Sequence, residues 1–269
     1  MCMLEPEWIF IFLLLGSFVG FMAGLLGIGG GGILVPVLTT IFLTHGIAMD
    51  NVVHLALGTS MASMVITTFS SCRSHHAKGG VVWKAVKGMV LGIILGTFLA
   101  TFLASHLSSL YLGVFFALFM AFVSSQMFLN KKPKPSRELS GNMGLFAAGS
   151  GIGAISALVS IGGGSLTVPY LTWQNVEIKK AIGTSAAIGL PISIAGTLGY
   201  LINGWSNSVP NEYIFGYVYL PAVVLISITS FITAPYGAQM AHKLPVAILK
   251  KIFAVLLVIL SVRMLISIL

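Results

Sequence analysis

The sequence predicts an all-α polytopic membrane protein made of two inverted-topology repeats. Each repeat is a glycine-broken helix hairpin plus three transmembrane helices, giving eight long spans and two short helices. Three observations predict this. First, 57% of the 269 residues are hydrophobic and 7% are charged, with a mean hydropathy of +1.02, more apolar surface than a soluble domain can hide. Second, a run of contiguous glycines interrupts an apolar stretch twice. It occurs as Gly24-Leu25-Leu26-Gly27-Ile28-Gly29-Gly30-Gly31-Gly32-Ile33-Leu34-Val35-Pro36 and returns as Ala157-Leu158-Val159-Ser160-Ile161-Gly162-Gly163-Gly164-Ser165-Leu166-Thr167-Val168-Pro169. Third, the lysines and arginines gather on one side of the membrane only if the second half is inverted relative to the first.

Residues 8–26 are long enough to span a hydrocarbon core. Glu5 and Glu7 precede them without a basic stretch, so this segment reads as a retained helix and not a signal peptide. The glycine run then ends the helix, because each glycine loses the most backbone entropy on ordering. A short helix over roughly 33–47 follows, restarting near Pro36, and His45, Gly46 and Asp50 mark the next turn. Residues 52–72 form a span, Arg73 to Gly80 a polar basic loop, and 82–105 and 109–130 two further spans. Lys131-Lys132-Pro133-Lys134-Pro135-Ser136-Arg137 is the linker between halves, so the first repeat is 1–130, the linker 131–141 and the second repeat 142–269. The second half replays the first: a span at 142–161, a break at Gly162 to Gly164, a short helix over roughly 165–175, and spans at 179–203, 216–240 and 246–268. A polar loop with Asn207, Pro210 and Glu212 separates the middle two.

A second anchor supports the duplication. Ala56-Leu57-Gly58-Thr59-Ser60-Met61-Ala62 matches Ala181-Ile182-Gly183-Thr184-Ser185-Ala186-Ala187. The glycine runs are offset by 161 − 28 = 133 and these motifs by 183 − 58 = 125, which implies a short deletion in the loop between them. If each break region crossed the membrane, the halves would be parallel and Lys179, Lys180, Lys243, Lys250 and Lys251 would lie opposite the basic loop. If each break is the tip of a hairpin that enters and returns, all of these join Arg73, Lys78, Lys84, Lys87, Lys131, Lys132, Lys134 and Arg137 inside, and Arg263 alone falls outside. Both termini are then extracytoplasmic.

Broken backbone at membrane depth persists only where protein or a water-filled cavity satisfies it, and paired breaks point to a transporter's binding site. Inversion brings the tips Gly29, Gly30, Gly31, Gly32 and Gly162, Gly163, Gly164, Ser165 together near the midplane. Each tip feeds the N-terminus of a short helix, whose unpaired amides and dipole favour an anion. Thr59, Ser60, Thr184 and Ser185 add hydroxyl donors, although hydroxyls in helices also bond the preceding turn. His54 is a candidate proton relay. Gly16, Gly20 and Gly24, and Gly88, Gly92 and Gly96, recur every four residues and read as helix packing. Pro191, Pro221 and Pro235 read as kinks inside helices, His75 and His76 as surface residues, and Trp8, Trp83, Trp173 and Trp205 as interfacial aromatics.

No Walker-type phosphate loop is present, so no ATP hydrolysis is expected. The acidic residues Glu5, Glu7, Asp50, Glu138, Glu177 and Glu212 all lie in predicted loops or termini, which leaves no buried carboxylate for a proton pump. Cys2 and Cys72 make no disulfide or metal set, no cofactor or metal is expected, and no triad of catalytic side chains is visible. The net charge of +8 lies between apolar segments rather than along one face and is no nucleic-acid footprint. The expected partners are a small anionic solute and the lipid bilayer.

With Gly27-Ile28-Gly29-Gly30-Gly31 to Val35-Pro36, its echo at 161–169 and the paired Gly-Thr-Ser motifs, the chain resembles the TauE/SafE family of sulfite and organosulfonate transporters over almost its whole length. Ser165, where the first copy has Gly32, departs from the glycine pattern. The resemblance implies movement of sulfite, organosulfonates or short carboxylates across the cytoplasmic membrane. The broken-helix electrostatics independently favour an anion. A passive anion channel and a membrane scaffold are the alternatives: saturable exchange marks a carrier, ohmic current a channel, and no saturable anion binding a scaffold.

Overall fold

The computed structural model describes residues 5–27, 29–129, 138–205, 213–241 and 246–269. The linker 131–137, Asn207, Pro210, Glu212 and Lys243 lie outside the described residues. The first half contains α1 (Pro6–Leu26), α2 (Gly31–Thr44), α3 (Met49–Ala77), α4 (Trp83–Ser105) and α5 (Ser109–Leu129). The second contains α6 (Asn142–Val159), α7 (Gly164–Trp173), α8 (Ile178–Gly204), α9 (Leu220–Met240) and α10 (Val246–Ile268). A small antiparallel hairpin, β1 (Ile214–Phe215) with β2 (Val218–Tyr219), precedes α9. Eight of the helices are long and apolar enough to cross a membrane, and α2 and α7 are the short ones.

The two breaks share a backbone design. α1 closes on Gly27 and α6 on Ser160, both left-handed, at φ 70° and 49°. The short helices restart from Gly30 and Gly163, again left-handed, at φ 86° and 77°. A left-handed residue reverses the chain without a long loop, and glycine adopts it without a Cβ clash. Both restarts come earlier than expected. Gly31 and Gly32 are already helical, and Pro36 and Pro169 sit in the helix interior rather than in the first turn. Each proline therefore leaves the carbonyl four residues back, that of Gly32 or Ser165, without its helical donor.

Each break is the turn of a hairpin. Trp8 at the start of α1 meets His45 at the end of α2 edge-on, with ring centroids 4.5 Å apart. In the second half, the Gln174 amide beyond α7 donates to the Ser140 hydroxyl at 2.6 Å and accepts from the Ser140 amide at 3.2 Å, just before α6. The offset between halves also resolves. The loops 45–48 and 174–177 have equal length, whereas α2 has 14 residues against 10 in α7. A further four residues separate Met49 from Gly58 compared with Ile178 from Gly183. The deletion expected in the loop is instead about one helical turn from each flanking helix, which keeps the buried face roughly in register.

Helix directions follow from the contacts. α1 packs along α9 in parallel, with Gly16 on Ile226, Gly20 on Ser230 and Gly24 on Ala234. α4 packs along α6 in the same sense, with Gly88 on Leu145 and Gly96 on Ser150. These are the most extensive helix pairs, and the period-four glycines let their backbones approach closely. The matching helices of the two halves run antiparallel. In α3 and α8, Gly58 meets Tyr200, Thr68 meets Ser193 and His75 meets Gly183. In α5 and α10, Gly113 meets Ile268, and the Lys251 ammonium lies 5.7 Å from the centre of the Phe128 ring.

Four further expectations need correction. Residues 73–77 continue α3 instead of forming a loop, and His75 is buried: its Nε2–H donates to the Gly24 carbonyl at 3.1 Å. The span expected from 216 starts at Leu220, because 214–219 pair as β1 and β2 and lie across α3. Pro221 therefore falls in the first turn of α9, where a missing N–H costs nothing, and is not a kink. Pro191 and Pro235 do lie inside helices.

Candidate functional site

The two tips meet beside Met64, at the middle of α3. An added methyl at Gly29 would run into Gly162 and Met64, and one at Gly31 would overlap the Ser160 carbonyl oxygen. Gly29 to Gly32 and Gly162 to Gly164 are all buried. Ile33 and Leu34 turn their amides back to the Gly30 carbonyl, at 3.1 and 3.2 Å, and Leu166 and Thr167 turn theirs to Gly163, at 3.1 and 2.7 Å. The first-turn amides of Gly31, Gly32, Gly164 and Ser165 have no intrahelical acceptor, and two positive dipole ends converge there. Among the described residues no Asp, Glu, Lys or Arg is buried; the buried polar set is hydroxyls, Gln174, His54 and His75. Positive potential at the tips therefore comes from backbone.

The tips are chemically unequal. Around the first, Met120 and Leu257 approach Gly32. At the second, the hydroxyls of Ser165 and Thr167 are buried with no hydrogen-bond partner. Thr167 was not singled out from the sequence. Its signal was a hydroxyl in the first turn of α7 where the first copy carries Leu34.

The Gly-Thr-Ser residues divide between two tasks. Gly58 lets the Tyr217 carbonyl approach α3, and the Thr59 hydroxyl accepts the Tyr219 amide at 2.9 Å. Gly183 does the same for the Gly80 carbonyl, and Thr184 accepts the Val82 amide at 2.9 Å while donating to Lys180 at 2.6 Å. Tyr219 and Val82 are the N-caps of α9 and α4, so both threonines fix the segment entering one of these helices to a helix of the opposite half. The serines lie closer to the tips. Ser185 donates to Ile182 at 2.7 Å and reaches the Gly27 carbonyl at 3.3 Å. Ser60 lies 4.0 Å from the Met64 sulfur, which also receives Ser160 at 3.9 Å.

His54 stands apart from the tips, ten residues along α3 from Met64, or about 15 Å. It is buried. Its Nε2–H donates to Ala104 at 3.0 Å, Nδ1 lies 3.3 Å from the Ser109 hydroxyl, and its ring stacks on Tyr217 with centroids 5.0 Å apart. It thereby ties α3 to the α4–α5 turn and to the β-hairpin.

The sulfite exporter TauE/SafE family profile matches residues 12–264. A protein of Haemophilus influenzae named "Probable membrane transporter protein" is 37% identical over 96% of this chain and 98% of its own length. Proteins given the same description in Methanocaldococcus jannaschii and Bacillus subtilis are each 25% identical, over 87% and 86% of this chain and 86% and 90% of their own. No solved structure matches the chain. A polytopic bundle with paired glycine breaks and a family match across nearly its full length make this chain a membrane transporter, not an enzyme, and it belongs to the sulfite exporter TauE/SafE family.

Proposed function

We propose that the protein is a secondary transporter of small sulfur-containing or organic anions, such as sulfite, organosulfonates or short carboxylates, in the cytoplasmic membrane. The anion binds at the paired breaks, held by the free amides of Gly31, Gly32, Gly164 and Ser165. Gly29, Gly30, Gly162 and Gly163 let it approach the backbone, and Ser60, Ser185, Ser165 and Thr167 supply hydroxyls. Thr59 and Thr184 shape the site by holding the segments that enter α9 and α4. The observation that carries this reading is the meeting of two helix N-termini at mid-bundle beside unpartnered buried hydroxyls. The same contact favours a carrier over the passive channel: touching tips form a barrier that alternating access has to move. The antiparallel course of α3 with α8 and of α5 with α10 supports inverted repeats, because a two-fold axis along the membrane normal would leave matching helices parallel.

The test is exchange of labelled sulfite and sulfonates in vesicles holding the purified protein. Saturable exchange lost in folded Gly163→Leu and weakened in Ser165→Ala/Thr167→Val is the expected outcome. Non-saturating ohmic current would replace the carrier by a channel, and undiminished exchange in both variants would remove the tips from the site. A proton-relay role for His54 predicts that His54→Gln flattens the pH dependence of exchange at unchanged substrate affinity.

A further inference from the structure

We propose a binding site for one anionic phospholipid in the groove between the N-terminal ends of α4 and α6, held by Lys84 and Lys87. The groove has a volume of about 480 Å³. It is lined by the polar Lys84, Lys87 and Asn142 and by the apolar Leu91, Met143 and Phe146, of which Leu91 and Met143 are exposed. Both lysines are exposed, and so is Trp83 beside them.

Charge is what selects the occupant. α4 and α6 run parallel, so two positive dipole ends open at the same place. Neither helix has an acidic residue in its first turn or a side-chain cap. Lys84 in the first turn of α4 and Lys87 just beyond it are opposed by the dipole, and an anion relieves both at once. Among the described residues, no carboxylate pairs with Lys84 or Lys87. The fold itself does not require these charges. Val82 and Tyr219 are matching N-caps, and the same offset places Pro221 and Val224 where Lys84 and Lys87 stand. At that matching place α1 opens beside Glu5 and Glu7. One end of the bundle thus carries a basic groove, and its counterpart carries acids.

The exposed apolar lining separates a lipid from a free oxyanion. A small inorganic anion gains nothing from Leu91, Met143 and Phe146, whereas an acyl chain lies along them while its phosphate meets the ammonium groups. Basic pockets between transmembrane helices at a membrane face recognise anionic headgroups in this way.

The experiment uses the full chain, purified in detergent and stripped of lipid. Phosphatidylglycerol, phosphatidylethanolamine and inorganic phosphate are each titrated, and binding is read by native mass spectrometry and by the melting temperature. Phosphatidylglycerol is expected to bind and to raise the melting temperature, with the other two weaker. In Lys84→Gln/Lys87→Gln its affinity is expected to fall on the order of 30-fold, the loss of two near-surface charges, and to return in Lys84→Arg/Lys87→Arg. Equal binding of the two lipids, equal protection by inorganic phosphate, or unchanged affinity in the glutamine variant would each overturn the site.

Discussion

Gly31 and Gly46 show how unequal glycines of one sequence are. Gly46 sits at φ 79° with open space around it, so Gly46→Ala meets only the cost of a left-handed alanine, about 1–2 kcal/mol. A methyl at Gly31 overlaps the Ser160 carbonyl, so Gly31→Ala forces the two tips apart. Thermal unfolding of the two variants should separate a modest shift at Gly46 from a larger one at Gly31, with loss of transport only in the latter. Thr59 gives the complementary case. Thr59→Val removes the hydroxyl that accepts the buried Tyr219 amide and is expected to cost about 1–3 kcal/mol, while Thr59→Ser keeps the bond. An unchanged melting temperature in Thr59→Val would mean that the hydroxyl serves the solute and not the fold. The tips were legible because contiguous glycines are rare outside backbone-defined sites. His75 was not, since its acceptor, Gly24, lies far away in sequence. The duplication does carry a signal for it. The 125-residue offset of the Gly-Thr-Ser motifs pairs His75 with Tyr200, which donates to the Ala157 carbonyl at 3.0 Å just as His75 does to Gly24.

At the scale of elements, spacing identified which glycines pack but not what they pack against. Period four in α1 and α4 reports a smooth helix face, while the choice of α9 and α6 as partners depends on the fold of the whole chain. Gly96 abuts the Ser150 backbone, whereas Gly151, on α6 itself, has nothing within 4 Å of an added Cβ. Gly96→Leu should therefore lower the melting temperature strongly by prising α4 from α6, the overpacking cost of about 1–3 kcal/mol being a floor here because backbone has to move. Gly151→Leu should leave it nearly unchanged. Helix propensity favours leucine at both positions, so comparable losses in both would mean that the α4–α6 contact is not what Gly96 protects. The β-hairpin escaped the sequence for a local reason. Ile214 to Tyr219 is an apolar, aromatic run continuous with α9, and periodicity cannot tell such a run from the start of a span. The turn left out of α7 was equally hidden, because an offset between motifs gives the number of missing residues and not their place.

Among the described residues, most lysines gather at one end of the bundle and Glu5, Glu7 and Asp50 at the other. Gly80 and Val82 touch Gly183 and Thr184, so the residues after α3 lie beside the start of α8 with Lys179 and Lys180. Lys251 reaches Phe128 at the end of α5, and Lys84 and Lys87 share their groove with the start of α6. Pro6, Asp50 and Ile268 belong to the opposite end, where Trp8 meets His45, Ser109 bonds Asp50, and Gly113 meets Ile268. The positive-inside rule predicts that the basic end faces the cytoplasm. Single cysteines in a background lacking Cys2 and Cys72 test the assignment in intact cells. Lys179→Cys and Lys251→Cys are expected to resist a membrane-impermeant thiol reagent until the membrane is opened. Asp50→Cys and Leu269→Cys are expected to react from outside. Labelling all four in the reverse sense would turn the molecule over and keep its architecture. Labelling Lys179→Cys and Lys251→Cys from different sides would contradict the antiparallel pairing of α5 with α10, and with it the proposal that the halves are inverted repeats.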